Sequence, residues 1–330
     1  VQLTVLRGRD DECRAVRGLL DGVTDADGAL LIRGEPGSGR TALVRYAHRH
    51  AEGRTVLAGS GLAEEAALPY AGLQRLVDPV LDRLAALPNE QRELLRRALA
   101  GEGCPPGRQL TLSMAVLGLL AAAARDRPLL TTMDDVDRGD PQTAQVLAFV
   151  ARRLRHLPVA VLLTGDVATT VDGIPAHRLR ALTERESAGV LTDRLRQLTE
   201  REGADRLPEQ PAASALIALA AIGGGNPQAL VDLAEVLTPG QWRGEEPLPA
   251  APPADGALGR AYRDRLDRLP PETRRMLLLA ALDEDGEPGT LIRAAGVAAP
   301  TSTRSPRRRS PVWSGWSHGV SPSRSRWSAR

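Results

Sequence analysis

Lysine is absent from this chain: all 43 basic residues are arginine. So strict a vocabulary points to codon bias, that of a GC-rich genome. Any site that calls for a primary ammonium must here make do with a guanidinium. Cysteine is scarce, with Cys13 and Cys104 the only two in 330 residues. Two thiols build no metal site alone, and a chain of this size needs no disulfide staple, which argues against a zinc module and a disulfide-framed domain. The five histidines are scattered; His48 and His50 stand two apart on a predicted helix and share no face. Long apolar runs are missing as well. The longest, at 114–124 and 215–222, fall short of the roughly 20 residues a membrane helix needs. Near the N-terminus Arg7, Arg9, Asp10, Asp11 and Glu12 occupy the place of a signal peptide's apolar core. Neither export nor membrane insertion is expected, and the expected location is the cytoplasm.

What remains is the composition of a globular protein, 42% apolar and 25% charged, long enough for one large domain or two ordinary ones. Its formal charge of +2 is an average over two unlike parts. Residues 288–330 hold eight arginines and no acid, so residues 1–287 carry 35 basic and 41 acidic side chains. An acidic body of this kind argues against a nucleic-acid surface on the main domain. Residues 301–330 contain seven Arg, nine Ser and three Trp without apolar periodicity, and read as a disordered tail. An arginine/serine arm with stacking tryptophans, or a slip in reading frame, are the competing readings of that segment.

Along the body, short apolar runs at 29–32, 55–58, 129–133 and 159–163 read as buried strands, with a further one at 178–182. Helices are predicted over 10–20, after the turn at 34–41, and over 68–84, 90–99 and 110–124. Asp140-Pro141 starts another, with Asp as N-cap and Pro at the first helical position. Thr183 and Glu186 form a capping box ahead of the stripe Ala188, Leu191, Leu195 and Leu198, and from there to about residue 295 only helices follow. The pattern is α/β, a parallel sheet covered by helices, then an all-helical lid or second subdomain and the disordered tail. The expected boundaries are 1–182, 183–298 and 299–330.

Two local patterns carry chemistry. Gly34-Glu35-Pro36-Gly37-Ser38-Gly39-Arg40-Thr41 matches the phosphate-binding loop G-x-x-x-x-G-K-[ST] at every fixed position but the lysine. Glycines let backbone N–H groups converge on phosphate oxygens, the following helix aims its positive end at them, and Thr41 offers a hydroxyl to phosphate-bound Mg2+. Arg40 keeps the charge of the missing lysine without its compact geometry, which is expected to weaken nucleotide binding and to impair hydrolysis more. The second pattern is the acid pair Asp134-Asp135 at the end of the strand 129–133, 93 residues after Thr41. Asp134 is placed to hold magnesium through water, and Asp135, the candidate catalytic residue, to orient or activate the attacking water.

With these motifs in order, the chain resembles, over residues 3–298, the N-terminal ATPase module of the large ATP-binding LuxR-type transcriptional regulators, a branch of the STAND/AAA-like P-loop ATPases. Leu6-Arg7-Gly8-Arg9-Asp10-Asp11-Glu12 is similar to the family's opening box, which implies that Gly8 and Arg9 lie near the nucleotide base. Residues 65–73 and Leu87-Pro88 resemble its insert between strands, and Met133-Asp134-Asp135 through Asp140 its Walker B strand. Gly224-Gly225-Asn226-Pro227-Gln228-Ala229-Leu230 resembles a lid motif whose proline, Pro227, approaches the adenine. Leu269-Pro270-Pro271-Glu272-Thr273-Arg274 resembles the start of the helical region beyond. The resemblance implies an ATP/ADP switch with Mg2+ and partners that are the nucleotide, a second copy or another regulator protein. DNA would be met only through a domain missing from this chain. Three departures stand out: Arg40 for lysine, Arg138 where many members have tryptophan, and Gly165-Asp166 where an arginine reading the γ-phosphate is expected. They leave open a second expectation, a catalytically dead module that binds nucleotide or protein.

Overall fold

The computed structural model describes residues 6–22, 28–202 and 207–282. The chain divides into two compact units, Val1–Asp267 and Arg268–Arg330. The first unit begins α1 (Asp10–Asp21), β1 (Ala29–Arg33), α2 (Arg40–Arg49), β2 (Thr55–Ser60), α3 (Ala71–Val77), α4 (Asn89–Arg97) and α5 (Gln109–Ala123). It continues β3 (Leu129–Asp134), α6 (Pro141–Ala151), β4 (Val159–Gly165) and β5 (Ala176–Arg178). The strands form one sheet in the order β2-β3-β4-β1-β5, with all pairs parallel.

Strand periodicity sorts the core into two layers. Ala29 and Leu31 of β1 join Leu129, Met133, Val161 and Leu163 in a cluster packed under α3, α5 and α6. Leu30 and Ile32 point the other way, to Leu130, Leu162 and the apolar sides of α1 and α2. The inner strands β1, β3 and β4 are thus buried on both faces, which is why their runs read as continuous rather than alternating. Burying each leucine stabilises the fold by about 2 kcal/mol relative to leaving it exposed. With helices covering both faces, the carboxyl ends of the strands are the rim at which parallel α/β sheets place their ligands.

All-helical chain follows: α7 (Glu184–Glu202), α8 (Ala213–Ile222), α9 (Pro227–Val236), α10 (Pro239–Trp242) and α11 (Ala257–Asp267). Of these, α7 to α10 share a third core in which Leu191, Leu195, Leu219, Leu230, Leu233 and Trp242 are buried. The capping box ahead of α7 forms as expected: Thr183 N–H donates to Glu186 Oε2 at 2.8 Å and Glu186 N–H to Thr183 Oγ1 at 3.3 Å. The second unit is described only through α12 (Pro271–Leu282), which opens with the Arg274 N–H on the Pro270 carbonyl at 3.0 Å. Residues 283–330, including the expected boundary at 299 and the tail, lie outside the described residues.

Three element expectations need correction. The helix expected over 68–84 is α only for Ala71–Val77 and continues as a 3-10 helix over Asp78–Ala86. Pro79 has no N–H to give the α ladder and restricts the residue before it. The helix expected over 90–99 ends at Arg97 and runs into a π turn, Ala98–Glu102, which breaks at Gly101 with φ 86°. The strand expected over 178–182 lies earlier, at Ala176–Arg178. Its continuation leaves the sheet because the Leu182 N–H goes to the Gly225 carbonyl at 2.8 Å, on the lid side.

Candidate functional site

The loop between β1 and α2 starts from the sheet, where the Gly34 N–H reaches the Gly165 carbonyl at 3.2 Å, and it turns through a Ser38 N–H bond to Glu35 at 3.1 Å. Gly37 and Gly39 take φ of 78° and 103°, the left-handed region that costs a side chain about 1–2 kcal/mol. A Cβ on Gly39 would meet nothing within 4 Å, so backbone conformation rather than space calls for glycine there. Ser38 is 7% exposed and its Oγ has no hydrogen-bond partner, an orphaned buried group on the loop itself. Beneath the loop, Arg9 is 3% exposed and donates from Nη2 to the Ser38 carbonyl at 3.0 Å. Burial lowers its pKa, with Glu12 countering. Arg9 thus braces the loop from below, while Gly8 lies beside Glu186, whose Cδ would be 2.5 Å from a Cβ at that position.

At the end of β3 the two acids part ways. Asp134 accepts the Thr41 hydroxyl on Oδ2 at 2.7 Å and the Thr164 hydroxyl on Oδ1. Thr41 and Asp134, 93 residues apart in sequence, therefore meet at the loop as two oxygen donors, a set that fits a hard divalent cation completed by water and phosphate. Among the described residues no group of three or more His, Cys, Asp or Glu could hold a metal. Asp135 takes φ 48°, held by its N–H on Thr164 Oγ1 at 2.9 Å. Its carboxylate is 2.7 Å from Arg40 Nη2, while Arg138 Nη1 stands at 3.6 Å. Arg40 Nη1 donates to the Gly34 carbonyl at 2.7 Å. Arg40 is thus strapped across the mouth of the loop. Burial pushes the Asp135 carboxyl up from its ordinary value; Arg40 pulls it down and neighbouring Asp134 adds to the rise.

The acid pair is fixed from behind. The Gly61 N–H donates to the Asp134 carbonyl at 2.8 Å. A Cβ on Gly61 would come within 2.1 Å of the Asp135 carbonyl oxygen, so only glycine admits this approach. Asp140, 1% exposed, accepts the N–H groups of Tyr70, Gly72 and Thr143 and the Thr143 hydroxyl. It joins the loop after the acids to α3. His48 Nε2 lies 2.9 Å from Thr132 Oγ1 under β3, and burial lowers its pKa.

The lid reaches the same loop. Asn226 Nδ2 donates to the Pro36 carbonyl at 2.9 Å. The Gln228 N–H is shared between Asn226 Oδ1 at 3.0 Å and the Gly37 carbonyl at 3.2 Å. Pro227 sits between them at the start of α9. A Cβ on Gly37 would fall 2.6 Å from Asn226 Oδ1 and 2.8 Å from Leu258 Cδ1, so α11 touches the loop too. Farther along α11, Arg265 pairs with Asp166. The Tyr262 hydroxyl is pushed up by burial and by the charge of Glu35. A cleft of about 930 Å³ opens between α1 and β5, with Gly8, Asp10, Arg14, His177 and Arg180 among its walls.

The structure therefore brings together Gly34, Glu35, Pro36, Gly37, Ser38, Gly39, Arg40, Thr41, Asp134 and Asp135, with Pro227 at the loop's far side. Arg9 serves the loop from below, and Gly8 stands apart against Glu186. Sequence reasoning missed Thr164, which sits in an apolar strand and looks like β-branched filler, and missed Tyr262 and Arg265, which belong to no motif.

A parallel sheet in this order, with a glycine loop after β1 and a carboxylate at the end of β3, defines a P-loop NTPase fold. Residues 5–163 match the family described as AAA ATPase domain, a match that agrees with the P-loop NTPase fold. Similar solved structures include the Walker-type ATPase of Pyrococcus abyssi, 14% identical, with 90% of this chain and 78% of that one covered at TM-score 0.45. A signal transduction ATPase with numerous domains (STAND) carrying a tetratricopeptide repeat sensor, from Pyrococcus horikoshii, is 14% identical at TM-score 0.42. That likeness covers 86% of this chain and 36% of the Pyrococcus horikoshii protein. No curated protein matches the chain. No helix among the described residues is long and apolar enough to cross a membrane.

Proposed function

We propose that the chain is the ATP/ADP switch module of a LuxR-type transcriptional regulator of the STAND kind, working in the cytoplasm, with slow or weak ATPase activity. The observation that carries the nucleotide reading is the Thr41–Asp134 contact of 2.7 Å at the mouth of a glycine loop. Thr41 and, through water, Asp134 would hold Mg2+, which supplies charge neutralisation on the phosphates. The loop's N–H groups cradle the phosphates, and the cleft beside Gly8 has the size of a nucleoside pocket. Arg40 must leave Asp135 and the Gly34 carbonyl to meet a phosphate. Asp135, once released, can orient a water for attack on the γ-phosphorus, with the bond to the β-phosphate's bridging oxygen breaking to give ADP and inorganic phosphate. Asn226 and Gln228 touch the loop carbonyls of Pro36 and Gly37, so a change in the loop is felt directly by α9. The partners in this reading are the nucleotide and a second copy or another regulator; DNA would be reached only through a further domain.

One observation favours a second reading, a module that binds without turning over. The 2.7 Å Arg40–Asp135 pair occupies the cation and the catalytic acid with each other. Titration of ATP and ADP with magnesium, followed by phosphate-release assays on wild type, Arg40→Lys and Asp135→Ala, separates the two. Turnover lost in Asp135→Ala supports the switch; tight binding without turnover in wild type supports the inert module. Absence of binding at millimolar nucleotide defeats both.

A further inference from the structure

Residues 1–287 carry more acid than base, yet one end of the sheet reverses that balance. The chain enters β2, β3 and β4 through three approaches that the strand order sets side by side. The Thr55 N–H donates to the Pro128 carbonyl at 2.9 Å and the Leu129 N–H to the Pro158 carbonyl at 2.8 Å, so the three strands start level with one another. Within these approaches residues 49–54, 125–127 and 152–156 hold seven arginines against two acids, Glu52 and Asp126. This is the amino end of the parallel sheet, opposite the rim that carries the glycine loop and the acid pair.

The arginines at the centre of the row, Arg125, Arg127, Arg152 and Arg153, are exposed. Asp126 is turned aside to Arg83 at 2.9 Å, and neither Arg125 nor Arg127 has an ion pair among the described residues. Arg152 Nη1 donates to the Asp172 carbonyl and Arg153 Nη1 to the Phe149 carbonyl, both at 3.3 Å. Arg54, at the head of β2, likewise rests on the Leu20 carbonyl. A carbonyl orients a guanidinium without cancelling its charge. Neighbouring strands lie about 4.8 Å apart, so the row is about 10 Å wide. Cations held this close repel one another, and a polyanion with closely spaced charges relieves the repulsion.

The surroundings select the polyanion. Arg153 lies over the Phe149 ring at 3.7 Å, and Tyr46 stacks on His50 with centroids 4.0 Å apart. Neither Phe149 nor Tyr46 is exposed, so the row lacks the stacking platform that single strands use. None of the exposed large apolar side chains among the described residues falls in the three approaches, so nothing there enters a bilayer or seals an apolar protein contact. We infer that the amino edge of β2, β3 and β4 grips the phosphate backbone of duplex DNA without reading its sequence. A guanidinium fork matches phosphate oxygens, and phosphate contacts fix a protein on a duplex while carrying no sequence information. Base readout would still need a further domain; the edge adds a contact that this chain makes itself. It lies away from the nucleotide loop, so the failure of either site leaves the other standing.

The test is fluorescence anisotropy of the full chain with two labelled duplexes of unrelated sequence, each about 20 base pairs long, over about 50–200 mM salt. Wild type is expected to bind both equally, with affinity falling steeply as salt rises. Arg125→Gln/Arg127→Gln and Arg152→Gln/Arg153→Gln, each first checked for an unchanged melting profile, are expected to weaken binding about tenfold and to lower the salt slope by about two. The control pair Arg243→Gln/Arg260→Gln, which removes the same formal charge from the lid, should change little. No binding by wild type at about 50 mM salt overturns the inference, as does a loss in the edge variants no greater than in the control pair. A poly-glutamate peptide held more tightly than the duplex would give the edge to an acidic protein instead, and tighter binding of a single strand would give it to unpaired bases; both results overturn the duplex assignment.

Discussion

Asp134 and Asp135 are neighbours in sequence, yet their carboxylates live in opposite company. Asp134 is held by two hydroxyls, Thr41 and Thr164. Hydroxyls are weak, rotatable donors, and both oxygens can be handed to a cation without breaking an ion pair. Asp135 faces guanidinium groups, Arg40 at 2.7 Å and Arg138 at 3.6 Å, in a setting that burial has partly dried. Taking one partner from such a pair leaves a charge exposed to a low dielectric, which is far costlier than turning a hydroxyl. In the proposed reading, the half that would hold the metal is thus poised to bind, and the half that would activate water has first to be unlocked.

The contrast can be broken from either side. The largest effect is expected from Asp134→Ala, which removes the cation's oxygen and lowers magnesium-dependent nucleotide affinity by about 10–100-fold while leaving metal-free binding near wild type; titrations with magnesium and with chelator check it. Arg40→Lys comes next. An ammonium lacks the two-pronged reach that joins Gly34 to Asp135, so the strap loosens and affinity rises by about tenfold, read by the same titration. Thr164→Val touches both acids at once, losing the bond to Asp134 and the one from the Asp135 N–H. It is expected to lower stability by about 1–2 kcal/mol in chemical denaturation. The smallest effect belongs to the exposed counterpart of the Arg40–Asp135 pair. Arg180 and the Thr183 cap hold the Glu186 carboxyl down at about 2, against an ordinary 4.5. Its contribution is therefore complete above pH 4.5 and fades as pH falls toward 2. Glu186→Ala should cost about 1 kcal/mol near neutrality and flatten the acid limb of the stability profile over that window.

Much of this site lies open in the amino-acid order because it is local. The glycines of 34–39, the residue after them and the acids at a strand end are each defined by a few consecutive positions, and Asp140-Pro141 announces its helix in two. Distance in sequence hides the rest. Arg265 reaches Asp166 across 99 residues, and no periodicity in α11 marks that face as one that will lie on a phosphate loop. Thr164 escapes notice because its hydroxyl matters only once β3 and β4 are side by side. Pro79 is visible, but its effect is a change of helix type rather than an end, which a stop signal does not convey. The resemblance places Arg9 near the base; its bond to the Ser38 carbonyl is a tertiary fact that its neighbours in sequence do not encode.

Gly61 gives the strap its direction of travel. With its α-carbon pressed against the Asp135 carbonyl, the acid's backbone has a wall behind it and cannot retreat. Opening is then a one-sided gesture, made by the long arginine alone, while the carboxylate waits in place like a fixed jetty. A methyl group at position 61 would shift the mooring itself, and the defect would show at the catalytic end although no atom of the loop had been altered.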